Sequence, residues 1–181
     1  MVDHLTYIQE IDAGVGGGGG WTLFQEMDVS SATAPATSNT LDSDVIGIKI
    51  VCHNVSHDSG TNARFQVNFT PTPTLNGITG STRPNVTVTT THYDWGTESR
   101  IPTFAQQDSF LVPMILEMWR WVSGSTHYWS ASMLSYTQNT SDARVSIGQG
   151  RVALSSVLTN IKFDWSGGEN FDSGVIRIYT Q

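Results

Sequence analysis

Residues 109–136, SFLVPMILEMWRWVSGSTHYWSASMLSY, decide the fold. Phe110, Val112, Met114, Leu116 and Met118 recur at every second position, the period of a strand with one face on a core. Ser123, Gly124 and Ser125 supply a turn and Thr126–Tyr136 returns, so the stretch predicts a β-hairpin. A helix over MILEMWRW is the rival reading, and Pro113 with its Trp-rich, β-branched surroundings favours strand. Pro113 cannot donate to a ladder, which predicts an edge position or a bulge there. The same alternation puts Trp119 and Trp121 on the face opposite to Met114, Leu116 and Met118. A strand apolar on both faces of a two-layer domain predicts that one face is covered, by another subunit or by a loop of the same chain. Trp129, on the returning strand, is grouped with that pair as an interface residue.

Working outward, DVIGIKIVCHNV (44–55) alternates with Ile46, Ile48 and Ile50 on one face, and ARFQVNF (63–69) does so with Phe65, Val67 and Phe69. The glycine-containing turn HDSGTN between them predicts a second hairpin. RVSIGQGRVAL, VLTNIKFDW and GVIRIYT each alternate near the C-terminus, and Trp21, Leu23 and Phe24 open a first strand. Residues 70–84, TPTPTLNGITGSTRP, read as a long surface loop, and 96–107 as another irregular connection. The sum is about eight strands, an all-β antiparallel sandwich of jelly-roll type. Gly16 to Gly20 form an unbroken run whose backbone entropy resists packing. It divides an extended N-terminal arm with a Gly-rich tether (1–20) from a single sandwich domain (21–181). Leu5 and Tyr7 give the arm apolar groups for docking, and they join the interface candidates.

Ser and Thr are abundant and fit a pleated surface. The formal charge is −7, with only two lysines, Lys49 and Lys162. Such a field repels phosphate backbones and argues against nucleic-acid binding. The N-terminus lacks the pattern of a cleaved signal, and no apolar run is long enough to span a bilayer, so no membrane insertion is expected. Cys52, the single cysteine, sits inside an apolar run and reads as a small buried hydrophobe.

Candidate chemistry is thin. No G-x-S-x-G elbow accompanies the five histidines. His53 and His57 are spaced H-x-x-x-H but lack a third ligand. Asp42, Asp44 and Asp58 lie near turns without EF-hand spacing. Asp94 with Glu98, and Glu169 with Asp172, are acid pairs of the kind that hydrolyse glycosides, and an acidic domain holds such pairs by chance. The sequons at Asn54, Asn68, Asn85 and Asn139 read as accidental. The expectation is therefore no catalytic residue, no metal site and no cofactor. Tyr93 and Trp95, next to the irregular segments, are the candidate contacts for a ligand or receptor.

Residues 157–181, VLTNIKFDWSGGENFDSGVIRIYTQ, resemble the ending of small virion proteins of tailed bacteriophages. In that group an Ile-x-x-Ile strand, a turn, Asn-Phe-x-x-Gly and a last strand ending near Leu-Tyr-Gly close the domain. Leu158, Ile161, Asn170, Phe171, Gly174, Ile178 and Tyr179 match; Thr180 and Gln181 stand where the glycine would be. Residues 21–54 are similar to the group's opening strands, less specifically. As a fold signature, Ser166-Gly167-Gly168 turns the chain into a closing hairpin, Phe171 plugs the sandwich end, and Gly174 permits a tight approach. The resemblance implies a structural protein on the outer surface of a virion, made in the host cytoplasm. It is expected to be a capsid decoration or cement protein that assembles as a homotrimer and binds the major capsid protein. The alternative is a tail appendage or receptor-binding protein that contacts host glycan.

Overall fold

The computed structural model describes residues 20–60, 62–82, 91–98, 100–106, 111–138 and 143–181. The expected arm, with Leu5 and Tyr7, lies outside them apart from Gly20. The strands are β1 (Thr22–Asp28), β2 (Ala36–Thr37), β3 (Gly47–His57), β4 (Ala63–Thr70), β5 (Thr74–Thr82) and β6 (Thr91–Asp94). A one-turn helix, α1 (Trp95–Glu98), precedes β7 (Ile101–Gln106), β8 (Val112–Ser123), β9 (Thr126–Gln138), β10 (Ala143–Leu154), β11 (Asn160–Trp165) and β12 (Phe171–Thr180). They form an antiparallel sandwich, as the composition and alternation predict. One sheet has eight strands in the order β1-β12-β3-β8-β9-β10-β5-β6, and the other has four, β2-β11-β4-β7. Twelve strands among the described residues exceed the eight expected, mainly because β5 and β7 occupy segments read as loops.

The β8–β9 hairpin is as predicted. It closes at Ser123↔Thr126 around Gly124, whose φ of 61° suits a two-residue turn with positive φ. Met114, Leu116 and Met118 are buried, with Ile48, Ile50, Phe65, Val67, Ile161 and Phe163 in the same core. Ile46 departs from its expected face: it precedes β3 and is exposed. Pro113 sits where the β3–β8 register breaks, between Cys52↔Met114 and Val55↔Val112, so β8 tolerates the missing donor at a bulge.

Two predicted hairpins are instead crossings between the layers. β3 pairs with β12 and β8 in the large sheet, whereas β4 pairs with β11 and β7 in the small one. β11 and β12 are divided in the same way, so Ser166-Gly167-Gly168 turns the chain from one sheet to the other. The alternation of such strands is identical whether they pair or face each other, because both arrangements send the same side chains inward. The packing roles read at Gly168, Phe171 and Gly174 hold. Gly168 has φ 80°, and Phe171 is buried with its ring centroid 6.1 Å from Trp165 and 6.4 Å from Phe65. At Gly174, φ is 117° and a Cβ would come within 2.6 Å of the Val55 Cα. β12 then pairs with β1 and β3, placing the last strand between the first and the third.

Candidate functional site

Alternation along β8 fixes which residues face outward from the eight-stranded sheet. Ile115, Glu117, Trp119 and Trp121 lie in register with Leu134, Ser132, Ser130 and Tyr128 of β9. These in turn meet Ile147, Gln149, Arg151 and Ala153 of β10. The outer face is therefore a series of rows with different chemistry. Near the β8–β9 turn, the Trp121 and Tyr128 rings stack with centroids 4.2 Å apart, and the Arg151 guanidinium lies 5.1 Å from the Tyr128 centroid. Three rows further along, Ile115, Leu134 and Ile147 make an aliphatic row, with Ile78 of β5 diagonal to it. Ile147 is 57 % exposed and Ile78 50 %.

Between these rows is a shallow cup of about 350 Å³, lined by Glu117, Trp119, Ser130, Ser132 and Gln149 and floored at Ala131 and Gly150. It exists because β9 carries serine at two successive outward positions while its neighbours β8 and β10 carry long side chains. Trp119 is held on its β3 side: a Cβ at Gly47 would come within 3.0 Å of its ring, and Trp21 packs on it with centroids 5.2 Å apart. Glu117 pairs with the buried Lys49 at 3.7 Å. Ser130 Oγ donates to the Trp119 carbonyl at 3.3 Å. The side chains of Ser132 and Gln149 make no hydrogen bond among the described residues, so their polar groups point into the cup unspent.

Trp119 and Trp121 are thus on the exposed face as expected, 42 % and 46 % accessible. Trp129 is not with them. Its register partner is Arg120, on the inward phase of β8, and it is buried in the core. The separation follows from its even spacing to Met133 and Ala131 rather than to Ser130, a phase the sequence itself carries.

Trp95 is likewise withdrawn from any ligand. It is fully buried, and its Nε1 donates to Thr79 Oγ1 at 2.9 Å, which donates to the Pro102 carbonyl at 3.0 Å. Its ring occupies space left by glycines of β5 and β10, since a Cβ on Gly77 or Gly150 would come within 2.5 Å of it. Tyr93 is half-buried beneath the Arg64 guanidinium, 4.7 Å from its centroid. The segments beside them that read as irregular are largely strands: 74–82 is β5 and 101–106 is β7.

Two of the acidic candidates have structural work. Asp94 Oδ1 accepts the Gly96 N–H at 2.7 Å and caps α1, and Asp58 Oδ1 accepts the Asn170 N–H at 3.1 Å. Asp172 is exposed, with Ser56 Oγ 3.5 Å away. The bulge in β3 separates the two histidines. His53 stands beside Arg177 at 3.3 Å, whereas His57 is buried with its ring 4.6 Å from that of Trp165. Among the described residues no group of three His, Cys, Asp or Glu side chains is placed to hold a metal ion. Burial holds the Cys52 thiol far above its ordinary pKa, which removes it as a nucleophile. The cup is the feature that sequence reading missed; the Ser-x-Ser on β9 between Trp119 and Gln149 was its available signal. Compared with known proteins, the chain matches no family model, no curated protein and no solved structure.

Proposed function

We propose that this chain is a structural protein on the exterior of a tailed bacteriophage virion, a capsid decoration or cement protein that assembles with copies of itself and binds the major capsid protein. The observation that carries the reading is the aliphatic row Ile115, Leu134, Ile147 with Ile78 on the outer face of the large sheet. Scattered exposed apolar residues are ordinary, but a contiguous row on a rigid sheet favours burial against protein. Its burial, at about 25 cal/mol per Å² of apolar surface, is the driving term for assembly. The virion context comes from the C-terminal resemblance, and the structural hydrogen bonds of Asp94 and Asp58 favour binding over catalysis.

The test is rebinding of the purified chain to heads stripped of it. Native chain is expected to saturate the heads at a fixed stoichiometry, and Ile147→Asp to lose binding while keeping its fold. No rebinding of native chain ends the decoration reading. Light scattering on the free chain is expected to give a trimer.

A further inference from the structure

The cup is chemically unlike the aliphatic row beside it. One wall is an indole fixed by Trp21 and Gly47; around it stand two hydroxyls, an amide and a carboxylate. An apolar side chain entering it would strand the Ser132 and Gln149 polar groups and Glu117, each a desolvation penalty without return. An anion would meet Glu117 in a chain of net charge −7. A pyranose ring satisfies both sides at once. Its C–H face packs on the indole, while its hydroxyls donate to Glu117 and exchange hydrogen bonds with Ser130, Ser132 and Gln149. The volume is at the lower end of the range for small-ligand sites, about 300–1,000 Å³. All five side chains stand on strands, which pre-organises them.

We propose that the cup formed by Glu117, Trp119, Ser130, Ser132 and Gln149 is a binding site for a neutral saccharide. Glu117 acts as an acceptor held in place by Lys49, and Trp119 as the stacking platform. The site does not rest on the virion reading, and failure to rebind heads leaves it untouched.

The experiment is an array of neutral hexose and N-acetylhexosamine oligosaccharides probed with the full chain, followed by titration of the strongest binder. Trp119→Ala removes the platform, and Ser132→Trp fills the trough at an exposed strand position that accepts an aromatic residue. Each is expected to weaken binding about tenfold or more, Ser132→Trp at an unchanged thermal midpoint and Trp119→Ala at a lowered one with the fold retained. Should either variant unfold, Gln149→Ala, an exposed truncation, replaces it with a smaller loss expected. Three results overturn the proposal: no neutral glycan bound by the native chain, binding confined to sialylated or sulfated glycans, or native-like binding by the variants. A fourth is light scattering in which Trp119→Ala dissociates an oligomer without changing glycan binding, which assigns the indole to a second copy.

Discussion

The C-terminal segment 157–181 and the central segment 70–106 both contribute strands to the same sandwich, yet they carry their core contacts in opposite ways. In β11 and β12 each strand brings its own hydrophobes: Ile161, Phe163, Trp165, Phe171, Ile176 and Ile178 are buried in sequence. In β5 the inward positions are Leu75, Gly77 and Thr79, and the bulk that fills the space over Gly77 belongs to Trp95, from α1. A strand whose core is donated by another element has no alternation to read, and TLNGITGST passes for a loop. The same donation explains Gly148 and Gly150 in β10, which accommodate the ring from the other side.

The sharpest way to break that contrast is Trp95→Ala. Truncating a fully buried Trp costs about 3–5 kcal/mol, and here it also removes the partner of Thr79. Denaturant unfolding is expected to show a loss of this size.

A smaller effect separates the two regions directly. Gly150→Ala overpacks against Trp95 and costs about 1–3 kcal/mol, and Gly174→Ala forces a side chain to positive φ at a similar cost of about 1–3 kcal/mol. In the Trp95→Ala background the Gly150 cost is expected to shrink, leaving its contact with the Gly77 Cα, while the Gly174 cost stays whole. A double-mutant cycle measures both. Equal costs in both backgrounds would mean that Trp95 does not define the glycine positions.

The smallest effect is on the self-sufficient side, where Cys52 lies opposite Ile176. Burial raises its pKa in the folded chain, so its contribution to stability is whole below about pH 8.5, the value of an unfolded thiol. The contribution is lost as pH rises past that point, because only the unfolded chain ionises there, by about 1.4 kcal/mol one unit higher. Chemical unfolding at pH 8 and 9.5 is expected to show this decline in the native chain and not in Cys52→Val. Maleimide is expected to label Cys52 only after unfolding.

Alternation alone located β3, β4, β8, β9, β11 and β12, because each of those strands buries its own side chains at period two. It also placed Trp119 and Trp121 on the outer face, while the packing roles of Gly174 and Phe171 came from the C-terminal motif. What the tertiary structure decided is which turns pair strands and which carry the chain between sheets, since inward residues repeat identically in both cases. It also decided that Trp95 belongs to the core and Trp119 to a cup. Aromatic rings suit either place, and only the residues brought in from distant strands, glycines around Trp95 and serines beside Trp119, determine which one they take.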